Sequence, residues 1–204
     1  MKLKISGKKL KRGFFTRDLL LVARELLGKI LVKNDNGESL SGRIVEVEAY
    51  DGDIDEAAHT FIGLTKRNEI MYSEGGYLYV YFTYGAHFCC NVVTGKKGKG
   101  TAILIRGIEP LNGISKMIKN RFNKDLLTEK EKYNLTNGPG KICQAFSISR
   151  EHYGLDLTGD KIFLLDQPLI KHEQIIASTR IGIKKSVDLP WRFYIKDNPY
   201  VSKR

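Results

Sequence analysis

The chain lacks any apolar stretch near the ~18 residues that a bilayer-crossing helix needs; runs such as Leu19–Ala23 and Thr101–Ile105 are only core-sized. The expectation is a protein that does not span a membrane. Cysteine is scarce: there are three, with Cys89 and Cys90 adjacent, and no Cys-x-x-Cys or His-x-x-x-His spacing exists to hold zinc. Buried free thiols are the expected state, and no metal or cofactor is called for. Behind the basic start Met1–Arg12 there is no hydrophobic signal core and no small-residue cleavage site, so a cytoplasmic, nucleoid-associated location is expected, or a nuclear one in a eukaryote. Internal repeats, low-complexity segments and convincing linkers are absent, and no heptad or long apolar stripe advertises a dimer. The expected state is a monomer. Acid is also in deficit, with 23 Asp and Glu against 34 Lys and Arg, a net charge of +11 and a pI of about 9.5. That balance points to a polyanionic partner.

What is present is enough for a core. The 204 residues are 42% hydrophobic and 10% aromatic, and division by an average domain of about 150 residues gives one domain. A basic arm over residues 1–14 precedes it, and the domain itself runs over residues 15–204. Thr16 is placed to cap a helix in which Leu19, Leu20, Ala23, Leu26 and Leu27 recur at helical spacing, and Gly28 is placed to end it. Strands follow at Lys29–Lys33 and Gly42–Tyr50 around the turn Asn34-Asp35-Asn36-Gly37, which reads as a hairpin. Residues 51–75 form a long connection with a short helix expected near Asp55–Thr60. Three β-rich runs come next, Tyr77–Thr83, Phe88–Thr94 and Thr101–Ile108, then a helix starting at Pro110 with Leu111, Ile114, Met117 and Ile118 on its apolar stripe. Arg121–Lys132 is charge-mixed and expected to be exposed, and short strands lie near Lys161–Leu165 and Arg192–Lys196. The fold class expected is α+β, with a curved, mostly antiparallel sheet and flanking helices.

Three concentrations of chemistry stand out. In Arg43–Tyr50 the two-residue period puts Glu46, Glu48 and Tyr50 on one face and Val45, Val47 and Ala49 on the other. Two carboxylates about 7 Å apart on one face are costly to bury without a purpose, although a solvated face explains them equally well. In Tyr77–Tyr84, Tyr77, Tyr79 and Tyr81 share a face and Tyr84 ends the run. A cross-strand aromatic ladder is the plainer account. A basic chain carrying such rings also matches the proteins that stack bases. Arg106 closes the apolar strand Thr101–Ile105 and needs an anion, either a protein carboxylate or a phosphate.

Taken in order, Ile44–Tyr50, Asp55-Glu56-Ala57-Ala58-His59, Tyr79–Gly85, Phe88-Cys89, Asn91, Leu104-Ile105-Arg106, Gly138–Ala145 and Arg192–Tyr194 with Pro199–Ser202 resemble the alkyladenine (3-methyladenine) DNA glycosylase family over residues 15–202. The resemblance implies a monofunctional base-excision enzyme. Such an enzyme flips an alkylated or deaminated purine of the 3-methyladenine, 7-methylguanine, hypoxanthine and ethenoadenine class out of duplex DNA. It then hydrolyses the N-glycosidic bond and leaves an abasic site. By the same resemblance Glu48 is the general base that activates water, and Arg106 and the backbone carbonyl of Ile181 help to hold that water. Tyr50, His59 and Tyr81 sandwich the base, and Asn91 stands where the 2-amino group of guanine would clash. Tyr84 wedges into the gap in the duplex, and Thr65, Arg67 and Asn68 belong to a DNA-proximal loop in which Lys66 replaces the family's proline. Lysines of the Gly95–Gly100 tip and of the N-terminal arm are available to neutralise phosphates. Nothing near Lys141 in the sequence suggests the desolvated amine of a strand-cleaving glycosylase.

Two other readings compete. In a non-catalytic nucleic-acid binder the tyrosine face would stack bases and Glu48 would be structural. In a metal-dependent nuclease, Glu46, Glu48, Asp51 and Asp53 would hold the ion.

Overall fold

The computed structural model describes residues 6–35, 37–83 and 86–203. The architecture is α+β, with eight strands in one curled antiparallel sheet ordered β3-β4-β5-β2-β1-β6 and the β7–β8 pair attached to β2. The strands are β1 (Ile30–Asp35), β2 (Glu38–Asp51), β3 (Leu78–Thr83), β4 (His87–Thr94), β5 (Thr101–Asn112), β6 (Ile162–Leu165), β7 (Ile175–Ser178) and β8 (Arg192–Ile195). The helices are α1 (Arg12–Phe15), α2 (Leu19–Leu26), α3 (Ile114–Phe122), α4 (Glu129–Asn134) and α5 (Pro139–Ala145). Of these, α1, α4, α5 and β7 were not anticipated, being too short to show a period.

The expected β1–β2 hairpin forms, but β2 extends well beyond it. One edge of β2 pairs with β5, and the other pairs first with β1 and then, at Glu46–Glu48, with β8. This strand is therefore the axis of the sheet. Three register shifts interrupt its pairing with β5, one at Ser41/Gly42 and two close together around Glu46. Val45 is passed over between Ile44↔Ile108 and Glu46↔Gly107, and Arg106 is passed over between Glu46↔Gly107 and Val47↔Ile105. A bulge takes up one extra residue and re-aims the side chains around it. As a result Ile44, rather than Val45, joins Val47 and Ala49 in the main core, together with Ile103, Ile105 and Ile108 of β5.

Leu19, Val22, Ala23 and Leu26 bury one face of α2 against this core, as the helical spacing predicts. Its N-cap is Asp18 rather than Thr16: the carboxylate accepts from the Leu21 N–H at 2.9 Å, because Thr16 is taken up in ending α1. Gly28 follows at φ 85, and its N–H bonds Ile44 O at 2.8 Å. Pro110 does not start a helix. It lies within β5 opposite Gly42, beside a register shift, where a strand tolerates a missing N–H. The helix begins instead at Ile114 behind Gly113, and buries Met117 and Ile118. The segment near Asp55–Thr60 is a series of turns and not a helix.

In the N-terminal arm, residues 6–14 are described and lie against β6. Leu10 N–H bonds Leu164 O, and Lys9 and Arg12 pair with Asp160 and Asp156. Residues 1–5 lie outside the described residues. Replacing Asp18 by Ala should cost about 1 kcal/mol through loss of the α2 cap, read as a lower urea midpoint at constant slope.

Candidate active site

The face of β2 opposite the core carries the charges. Glu46 and Glu48 are both fully buried, which excludes a solvated face. Glu48 Oε2 accepts from Tyr50 OH at 2.8 Å and from Arg106 Nη1 at 3.2 Å, and Oε1 accepts from the Ile181 backbone N–H at 2.7 Å. The resemblance assigns the Ile181 carbonyl to the water; the Ile181 amide is a donor to Glu48. Glu46 has a different set of partners: Arg106 Nε at 3.4 Å, Arg192 Nε at 2.7 Å, and Ser202 through its N–H at 2.6 Å and its hydroxyl at 2.9 Å. Arg106, the residue passed over in the β5 bulge, thus bridges the two carboxylates. The tail reaches Glu46 because residue 107 is glycine: a Cβ there would stand 2.8 Å from Tyr200 O and 3.0 Å from Glu46 Cβ.

Tyr50, Arg106 and Ile181, the three donors to Glu48, all line a cavity of about 760 Å³, which leaves the carboxylate one side chain beneath the wall. Aromatic groups from β3 and from the 53–68 connection line another part of it. His59 and Tyr81 meet edge to face at 4.5 Å between centroids, and Tyr79 stacks on Tyr81 at 5.4 Å. Tyr79 OH is 2.8 Å from His59 Nδ1. Burial and, secondarily, the Arg67 charge lower the His59 pKa to about 4, so the ring is neutral near pH 7. Burial also pushes the Tyr79 hydroxyl up to about 12 and the Cys89 thiol up to about 11. For Tyr50 burial is again the first cause of a raised pKa, followed by the Glu48 charge. Buried Asn91 shares this wall, and its amide donates to Tyr79 O at 3.1 Å.

The segment carrying Ile181 is held by an ion pair that the sequence did not reveal. Arg180 and Asp55 are both fully buried at their side chains, with Arg180 Nη2 at 2.7 Å from Asp55 Oδ1. The guanidinium also bonds Ala49 O at 2.9 Å and stacks 4.6 Å from the centre of the Tyr50 ring. Asp55 lay in the quoted motif, but no spacing rule joins residues that distant in the chain.

The remaining expectations divide. Arg67 is exposed at the cavity wall, with its guanidinium 5.5 Å from the centre of the Tyr81 ring, and Thr65 is half-buried. Asn68, expected on a DNA-proximal surface, is buried instead. Its amide donates to His59 O and Gly63 O at 2.8 and 2.9 Å and accepts from the Thr65 N–H at 2.7 Å, so it is the internal brace of the loop. Tyr84 lies outside the described residues. Tyr77 falls outside the cavity and packs under the Arg12 guanidinium. Burial and then Arg121 lower the Lys141 pKa, contrary to the expectation of an undesolvated amine, yet Lys141 faces Asn134 and Asn137 and does not line the cavity. The four acids of the nuclease reading do not converge: the two glutamates face arginines, while Asp53 is exposed and pairs with Lys99. Cys89, Cys90 and Cys143 are buried free thiols.

A profile described as methylpurine-DNA glycosylase (MPG) matches residues 13–199. The chain belongs to that family. Its chemistry is accordingly the hydrolysis of an N-glycosyl bond in DNA, a repair reaction. The relative named "Putative 3-methyladenine DNA glycosylase" in Clostridium novyi is 49% identical over 204 residues, covering 97% of this chain and 100% of its own length. Relatives of the same name in Alkaliphilus oremlandii and Clostridium perfringens are 46% and 45% identical, each covering 96% of this chain and 100% of its own length. Among the described residues, no helix is long and apolar enough to cross a membrane.

Replacing Glu46 by Ala strands Arg192 in a buried site and leaves Arg106 with Glu48 alone, and should destabilise the fold by about 3–5 kcal/mol, measured by denaturant titration. For His59, the fold lowers the pKa from 6.5 to about 4. Its stabilising contribution is therefore complete above the unfolded value and is lost as the pH falls from about 6.5 towards 4. The urea midpoint should drop less across that window in His59→Gln than in the wild type.

Proposed function

We propose that this protein extrudes alkylated or deaminated purines from duplex DNA into the cavity and hydrolyses their N-glycosidic bond with water activated by Glu48. The product is an abasic site, and the enzyme acts as a monomer without a metal or cofactor. The observation that carries this reading is a fully buried carboxylate whose three donors, Tyr50, Arg106 and the Ile181 amide, all belong to the wall of one aromatic cavity.

The three donors fix both carboxylate oxygens in orientation. Oε1 takes the single Ile181 donor, and since a carboxylate oxygen has two lone pairs it retains capacity for a water. A water bound there gives its proton to Glu48 as its oxygen attacks C1′ of the deoxyribose, while the electrons of the glycosidic bond leave with the purine. The negative carboxylate also steadies positive charge developing on the sugar. A purine alkylated at N3 or N7 is cationic and needs no protonation to leave. The faces of Tyr50 and Tyr81 attract such a cation by about 0.5–2 kcal/mol each, and the neutral His59 does not repel it. Asn91, fixed against Tyr79 O, supplies a polar edge that a guanine amino group would meet. Arg67 at the wall and Lys184 and Lys185 in the same lining are suited to the flanking phosphates.

The test is base release from a duplex carrying one alkylated or deaminated purine, in EDTA, by wild type and Glu48→Gln. The variant should keep its affinity for the lesion duplex and lose about 10²–10⁴-fold in single-turnover release. Wild-type activity that survives in Glu48→Gln would remove Glu48 as the base, and a borohydride-trapped covalent adduct would replace water with an amine nucleophile.

A further inference from the structure

The 53–68 connection that brings His59 to the cavity also turns apolar side chains outward. Phe61, Ile62 and Leu64 are 43%, 80% and 68% exposed. One exposed leucine on a protein surface is ordinary, but three apolar side chains within four positions of one turn are not explained by chance exposure. The tip is also rigid. Gly63 turns at φ 87, its N–H bonds Thr60 O at 2.9 Å, and its carbonyl is held by the buried Asn68 amide at 2.9 Å. A loop braced from inside yet apolar on its outside has already met the ordering cost of binding.

Both stems of the tip reach the cavity, because His59 and Arg67 line it. Ile62 and Leu64 are each three residues from one of those anchors, so each lies within about 10 Å of the wall by chain reach. Exposed Lys66 and Arg67 flank the tip on one side, and Lys184 and Lys185 lie in the cavity lining. Apolar side chains beside cations match the surface of duplex DNA, where apolar sugar and base edges line a groove between two rows of phosphates. This surface also adjoins the cavity wall through His59 and Arg67.

We propose that the Phe61–Leu64 tip is a second DNA-inserting element: Ile62 and Leu64 enter the groove beside the extruded nucleotide, while Lys66 pairs with a flanking phosphate. The inference rests on the function proposed above and adds a contact that discriminates duplex from single strand. It is tested with the double variant Ile62→Ser/Leu64→Ser, whose positions are exposed, alongside Lys66→Gln. Affinity for a lesion duplex is measured over a salt series, with single-turnover release from the lesion in duplex and in single strand. The double variant should bind the duplex about tenfold more weakly, with an unchanged slope of log affinity against log salt and a smaller loss on the single strand. Lys66→Gln should lower that slope by about one. Undiminished duplex affinity in the double variant, a changed salt slope there, or equal losses on both substrates would each overturn the proposal while leaving the glycosylase reading intact. A wild type that neither binds the lesion duplex nor releases its base would overturn that reading, and the inserting tip with it.

Discussion

Two negative charges buried two residues apart on one strand set the terms for the rest of this structure. Neither Glu46 nor Glu48 touches solvent, and an isolated buried carboxylate costs far more than a domain's net stability allows. Partners must therefore converge from elements remote in the chain. Arg106 comes from β5, Arg192 from β8, the Ile181 amide from the segment before β8, and Ser202 from the tail. The attachment of β8 to β2 at Glu46–Glu48 is the backbone side of the same requirement. The network divides its work. Glu46, which accepts from two arginines and from Ser202, anchors the guanidiniums and the tail, while every donor to Glu48 belongs to the cavity wall.

Much of this was legible in the sequence, and the reasons are local. The alternation in Val45–Tyr50 puts Glu46, Glu48 and Tyr50 together because a strand has no other way to arrange them. The leucine spacing of α2 and the turn after β1 are equally short-range. Where the pattern misled, a longer-range constraint had intervened. Strict alternation would put Ile44 with the glutamates, but the bulge at Val45 returns it to the core. Pro110 has the marks of a helix start, but a register shift lets a strand absorb it. Asn68 has the composition of a DNA-facing loop, yet its amide is the brace that holds that loop to His59. The Asp55–Arg180 pair carried no readable signal, since only the finished fold makes those two residues neighbours.

The cavity adds a second constraint, that of charge. Its aromatic wall is built so that its one histidine stays neutral, with burial and Arg67 acting in the same direction. The tyrosine hydroxyls beside it resist ionisation for the same cause. Under the function proposed above, these ring faces would meet a cationic purine, with Glu48 beneath the wall.

The paired bulges on β2 and β5 also bear on how such a sheet can change by insertion and deletion. Val45 and Arg106 are extra residues on opposite strands, and beyond them Val47↔Ile105 resumes the frame of Ile44↔Ile108. Loss of either one alone would leave the strands a residue out of phase, exchanging the core face for the charged face along one of them. Loss of both would keep the frame but remove the arginine that joins the two glutamates. The two positions therefore form one heritable unit, so that length variation in this family is expected to accumulate in loops such as Gly95–Gly100 and to bypass the sheet between Ile44 and Ile108.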